Sequence, residues 1–213
     1  MFYDFDTTAT VNIDCQKSFT PLCPDELPVP DGHTIVEALN EQAKYTKYHF
    51  ASLECHPSDA IWFASPEHPQ LSPIEGDYPD LDVYWNRHCI VGSKGWEILD
   101  GLPSLYEYDF VAFKGMFRHM HPYGACYHDL REQIHTGLIR YLREAGVQTT
   151  ILGGLAENFC VATTAIQLKK AGFNVFVNLS ACRPIGDPTE KRQEMTSLGI
   201  KLMAECKIEN MEW

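Results

Sequence analysis

The sequence predicts an α/β protein with a three-layer α/β/α fold and a mostly parallel, doubly wound six-stranded sheet. Three observations predict it. Short β-branched and apolar runs alternate with stretches of helical apolar spacing, in the order β-α-β-loop-β-α-β-α-β-α-β. Such alternation implies a parallel sheet covered on both faces, with right-handed crossovers. Asp14, Glu54, Lys114 and Cys160 all fall at the C-terminal ends of predicted strands, the edge where open α/β sheets bind ligands. Finally, the 213 residues contain no internal repeat, low-complexity tract or linker, which suits one domain over 1–213.

Thr8 to Ile13 is a β-branched strand that runs into Asp14, and Pro21 to Gly32 is a loop rich in proline. Asp14 reads either as a turn-forming aspartate or as a carboxylate at the ligand edge. Gly32 to Tyr48 carries a helix with Ile35, Val36, Leu39 and Ala43 on one face. His49 to Leu53 is the second strand, followed by Glu54-Cys55-His56-Pro57. In an extended segment, residues two apart point the same way, so Glu54 and His56 can share a ligand. A carboxylate and an imidazole suit Zn, Fe or Mn, although the pair alone also reads as a polar strand end.

About 57–95 is an irregular segment rich in Pro, Asp and aromatic residues, expected to form a pocket wall or lid. It carries His88, a candidate third ligand that otherwise reads as a surface or a hydrogen-bonded residue, and His68, which competes for the same role. Tyr108 to Phe113 is a third strand, and Lys114 after it reads either as a solvated strand-end lysine or, after so apolar a run, as one drawn into a cleft near Asp14. Met116 to Tyr127 is a His-, Met- and aromatic-rich loop. Asp129 to Ala145 is a helix stopped by Gly146.

Thr149 to Leu152 is a buried strand, Gly153-Gly154 a tight turn and Asn158 an N-cap for a helix over Val161 to Ala171. That arrangement puts Cys160 near a first helical turn, where free N–H groups and the dipole stabilise a thiolate or an oxyanion. On its own Cys160 also reads as a small buried hydrophobe. Asn174 to Leu179 is a strand, Pro188 to Leu198 a short helix and Ile200 to Ala204 a last strand.

Composition excludes several classes. A net charge of −12 disfavours nucleic acid and anionic membranes as partners. No apolar run approaches the ~20 residues of a bilayer span. Met1 to Asp6 lacks the basic and apolar regions of a signal peptide, so a cytoplasmic protein is expected. The eight cysteines include no Cys-x-x-Cys pair, which points to free thiols rather than a disulfide framework or a Cys₄ zinc site.

Asp14-x-Gln16-x-x-Phe19, Lys114-Gly115 and Gly154-Leu155-Ala156-Glu157-Asn158-Phe159-Cys160-Val161 together resemble the isochorismatase-like cysteine hydrolases. Within that superfamily, Glu54 to Pro57 and Trp85-x-x-His88-Cys89 resemble nicotinamidases. The resemblance spans Thr8 to about Pro184. It implies a catalytic triad of Asp14, Lys114 and Cys160, with oxyanion donors at the Ala156 and Cys160 N–H groups and a cis peptide at Leu155-Ala156. It also implies one divalent metal ion, Zn²⁺ ahead of Fe²⁺ or Mn²⁺, held by Glu54, His56 and His88. Phe19 and Trp85 would sandwich a pyridine ring, and Tyr123 would line the pocket.

The implied activity is hydrolysis of nicotinamide to nicotinate and ammonia through a thioester, in NAD salvage; a homo-oligomer stays open. The alternatives are another amidase of the superfamily, acting on an N-carbamoyl, ureido or pyrazinamide-type amide, and a non-catalytic binding protein. Three departures stand out: Glu54 replaces the usual Asp, Cys55 the usual aromatic, and His121-Pro122-Tyr123-Gly124-Ala125-Cys126 an Asp-Ser-Tyr-Ser-Ala-Phe-like stretch.

Overall fold

The computed structural model describes residues 3–207. Among them, six parallel strands form one sheet: β1 Thr8–Ile13, β2 Tyr48–Glu54, β3 Phe110–Lys114, β4 Thr149–Leu155, β5 Asn174–Arg183 and β6 Lys201–Met203. Their spatial order is β3-β2-β1-β4-β5-β6, so the winding reverses between β1 and β4. The α-helices are α1 Val36–Ala43, α2 Leu138–Glu144, α3 Ala162–Lys170 and α4 Thr189–Ser197. No described helix is long and apolar enough to cross a membrane.

The sheet is buried on both faces because its central strands carry apolar or β-branched residues at nearly every position. All of β1 and β4 is buried. On one face Ala9, Val11 and Ile13 pack with Leu138 and Leu142 of α2, Ala165 and Leu168 of α3 and Met195 of α4. The opposite layer is built differently. There Ile35 and Leu39, at the α1 end, join Trp62, Leu81, Trp85 and Leu99 of the irregular segment. That segment therefore replaces a helix as a covering layer, held by isolated bridges such as Phe63 to Trp85 and Pro73 to Val83.

Three local expectations are corrected. The helix predicted over Asp129 to Ala145 forms only at Leu138–Glu144. The Asp129 carboxylate accepts the N–H groups of Gln133 and Ile134, and Glu132 and Gly137 adopt positive φ of 58° and 99°, which favours turns over helix. Gly153-Gly154 does not form the turn but continues β4 to Leu155. Both glycines serve close approach instead. A Cβ on Gly153 would lie 2.8 Å from Ala181 Cβ, and one on Gly154, at φ 140°, 2.0 Å from Ile13 O. Asn158 does not cap α3. Its side chain donates to Ile185 O at 2.8 Å and accepts from Ile185 N–H at 3.0 Å, tying this turn to the segment after β5.

Candidate active site

The C-terminal ends of four adjacent strands converge, in the spatial order β3, β2, β1, β4. They deliver Lys114, Glu54, Asp14 and, one turn beyond β4, Cys160. Glu54 and Lys114 are register partners across β2 and β3. Asp14 leaves β1 at φ 47°, a left-handed kink, with its carboxylate between Ser52 and Lys114. Ser52 Oγ donates to Asp14 Oδ1 at 2.7 Å. After β4 a cis peptide joins Leu155 to Ala156, and Glu157–Val161 forms a π-helical turn before α3. Cys160 sits on that wide turn rather than in α3 itself. Glu157 anchors the turn through a bidentate pair with Arg192 of α4, at 2.7 and 2.9 Å.

Asp14, Lys114 and Cys160 come together as a buried group. Lys114 Nζ lies 3.0 Å from Asp14 Oδ2, as an ion pair rather than a directed hydrogen bond, and 3.9 Å from Cys160 Sγ. It also contacts Glu54 Oε1, which lies 3.9 Å from Cys160 Sγ. One ammonium thus faces two carboxylates and a thiol. Burial works against the Lys114 charge, but Asp14, Cys160 and Glu54 reverse this and raise its pKa well above the usual value. Burial likewise opposes ionised Glu54, yet Lys114 and His56 hold its pKa well below the usual range. For Asp14 burial prevails over Lys114 and the pKa rises. Burial also pushes the Cys160 thiol well up, despite Lys114. The expected thiolate at rest is therefore opposed: burial and two nearby carboxylates outweigh the ammonium.

Glu54 Oε2 faces the second part of the site. His56 Nε2 lies 2.7 Å and His88 Nε2 3.0 Å from it. His56 Nδ1 contacts Gly115 O at 2.9 Å and His88 Nδ1 contacts Asn86 O at 2.6 Å. Carbonyl oxygens only accept, so both Nδ1 atoms carry protons, and in the neutral tautomer this fixes, Nε2 holds a lone pair toward the carboxylate. Burial lowers the His56 pKa and disfavours a second proton there. Lone pairs aimed at an ionised oxygen at these distances call for a cation among them, and Nδ1–H bonds to carbonyls are how metal-ligating histidines are oriented. The donor set therefore fits a divalent ion. Gly115, at φ 69°, permits the arrangement, since a Cβ there would lie 2.4 Å from His56 Cε1.

A cavity opens beside both groups, lined by Phe19, Trp85, Tyr123, Ala156, Phe159 and Cys160 together with Glu54 and His88. Tyr123 links its walls: its hydroxyl donates to Asp82 Oδ2 at 2.8 Å and accepts from Trp85 Nε1 at 3.2 Å. Every sequence-predicted site residue but the competing candidate His68 lies here, either in the buried group, in the histidine cluster or on the cavity wall. His68 is elsewhere. It stacks on Tyr84 at 4.7 Å, outside the cluster. Cys55 is turned away too, with its thiol on Leu53 O and Trp96 Nε1, and burial pushes it up to about 11. One residue escaped sequence reasoning. His121 joins Glu54, His56 and His88, all four buried, with candidate ligand atoms within 4.8 Å of one another. The histidine-rich character of the Met116 to Tyr127 loop was its only sequence signal.

The Isochorismatase domain model matches residues 8–204. The chain is 31% identical to a nicotinamidase of Acinetobacter baylyi, covering 94% of each sequence. It is 27% identical to a nicotinamidase of Escherichia coli, covering 91% of this chain and 93% of the relative. Among solved structures it resembles an Acinetobacter baumanii nicotinamidase pyrazinamidase, with TM-score 0.84, 31% identity and coverage of 93% and 96%. It also resembles the pyrazinamidase of Pyrococcus horikoshii in complex with zinc, with TM-score 0.74, 27% identity and coverage of 92% and 98%.

Proposed function

Because the chain belongs to the isochorismatase domain family and is a nicotinamidase-like hydrolase of amide C–N bonds, we propose that it converts nicotinamide to nicotinate and ammonia through a thioester on Cys160. One observation carries the reading: the Cys160 sulfur and the Asp14 and Glu54 carboxylates lie within 4.8 Å of one another, beside a cavity walled by aromatic side chains.

Asp14 takes the proton of the Cys160 thiol as sulfur attacks the amide carbon. Its raised pKa suits a base that accepts a proton in one step and returns it in the next. Lys114 holds Asp14 and balances the charge that forms on sulfur. The Ala156 and Cys160 N–H groups receive the tetrahedral oxyanion, at roughly 3–4 kcal/mol per donor in comparable acyl transfers. On collapse the C–N bond breaks and protonated Asp14 delivers its proton to the leaving ammonia. Water, deprotonated by Asp14, then attacks the thioester, which releases nicotinate and the free thiol.

Glu54, His56 and His88 would hold a divalent ion, with Zn²⁺ the best match to an imidazole and carboxylate set. When bound, the ion supplies a Lewis acid for the ring nitrogen of the substrate. Phe19 and Trp85 supply apolar faces for that ring. The histidine cluster favours this reading over superfamily amidases that require no metal. The product is a pyridine carboxylate suited to NAD salvage in the cytoplasm. Ammonia release from nicotinamide tests the proposal: the wild type releases it and Cys160→Ala does not, and an active Cys160→Ala protein overturns the nucleophile.

A further inference from the structure

We infer that His121 is a fourth protein ligand of the ion held by Glu54, His56 and His88, an inference that rests on the metal reading above. His121 is 3% exposed, and neither ring nitrogen meets a hydrogen-bond partner among the described residues. A buried imidazole left unpaired carries the full desolvation cost of its polar atoms. A bond to the ion offsets that cost, and the four candidate ligand atoms already lie within reach of one another.

The fold delivers this ring to a fixed place. The His121 N–H donates to Asp80 O at 3.0 Å, and Arg131 clamps the Asp80 carboxylate at 3.0 and 2.7 Å. Pro122 restricts His121 to extended backbone. Trp62 covers the ring at 4.3 Å, and Tyr123 meets it edge-on at 5.3 Å. Neither aromatic neighbour hydrogen-bonds a His121 nitrogen: the Tyr123 hydroxyl is engaged by Asp82 and Trp85, and Trp62 Nε1 makes no bond, which leaves the Glu54 side.

His121 also differs from the other two imidazoles. Carbonyl oxygens fix the orientation of His56 and His88, whereas His121 has no such outer bond. Three imidazoles and one carboxylate fill a tetrahedral zinc site. His121, unpinned and lining the substrate cavity, is the ligand that an entering ring can displace.

The test compares wild type, His121→Asn and His121→Asp, each reloaded with Zn²⁺ or Co²⁺. Chelator competition reads affinity and the visible spectrum of the cobalt form reads coordination number. His121→Asn is expected to weaken Zn²⁺ at least about tenfold, the loss seen even for outer partners of ligands. It also replaces the strong cobalt bands of four-coordination by the weak bands of a more hydrated ion. His121→Asp, which keeps a ligating atom, recovers part of the affinity. Unchanged affinity or an unchanged cobalt spectrum in His121→Asn overturns the assignment. If that variant does not fold, the wild-type cobalt spectrum decides: strong four-coordinate bands support the assignment, and weak six-coordinate bands overturn it. A wild type that takes up no stoichiometric metal overturns the metal reading itself.

Discussion

Glu54 touches Lys114 with one carboxylate oxygen and turns the other to the Nε2 atoms of His56 and His88. The two residues are register partners on neighbouring strands, so the sheet itself couples the thiol-bearing group to the histidine cluster. A single carboxylate serves both.

Glu54→Gln removes that link and leaves Lys114 with Asp14 alone. Breaking a buried charge pair costs about 3 kcal/mol, the low end of the known range because one partner remains. Zinc affinity falls in the same variant, since the amide presents no negative oxygen to the ion. Urea denaturation and metal content per chain measure the two effects. Full stability with full metal loading would refute the shared role.

Asp14→Asn removes the proposed base and lowers kcat/KM by about 10²–10⁴-fold, the usual worth of a positioned acid–base group. In the wild type, Asp14 must be ionised to accept the thiol proton. Burial raises its pKa, so activity is lost as pH falls through a value above the ordinary carboxylate range. A pH profile of kcat/KM checks this, and an acid limb at or below the ordinary aspartate value contradicts it.

The metal-stripped protein should lose stability in mild acid. Burial lowers the pKa of both His56 and His121 from the ordinary 6.5, so both are neutral when folded and take up protons when unfolded. Their folded-state pKa is depressed, so the stability they contribute is present above pH 6.5 and is lost as pH falls toward the folded-state values. The limit is about 1.4 kcal/mol per pH unit for each imidazole. Melting temperatures between neutral and mildly acidic pH, in chelator, report it. His121→Asn should flatten the slope, and an identical slope in that variant counts against the buried neutral ring.

Gly154→Ala should be poorly folded. The new Cβ meets Ile13 O at 2.0 Å on the neighbouring strand, at a φ of 140° that side chains rarely adopt. Overpacking and backbone strain together cost about 3 kcal/mol or more. Circular dichroism and the urea midpoint measure it, and a midpoint equal to wild type contradicts the contact.

The strands and their order along the chain were legible because β-branched runs such as Thr8 to Ile13 and Asn174 to Leu179 are local, and burial on both faces writes them as continuous apolar stretches. The placing of Asp14, Lys114 and Cys160 at one edge followed from the same pattern, since parallel strands share their C-terminal ends. The helix predicted over Asp129 to Ala145 does not form before Leu138 despite suitable apolar spacing, because the Asp129 side chain competes for the N–H groups a helix would use. Gly153 and Gly154 carried a turn signal that described close packing instead.

The sequence by itself determined the doubly wound sheet, the chemistry-bearing strand ends and the candidate ligands Glu54 and His56, all set by short-range periodicity. Only the tertiary structure decided how Glu54 divides its two oxygens, that Cys160 rests in an environment opposing its charge, and that His121 rather than His68 joins the cluster. Those outcomes depend on segments that lie between 34 residues (His88) and 106 residues (Cys160) from Glu54 in the chain meeting over the sheet edge. Such contacts are fixed by packing and backbone hydrogen bonds such as His121 N–H to Asp80 O, which no local pattern records.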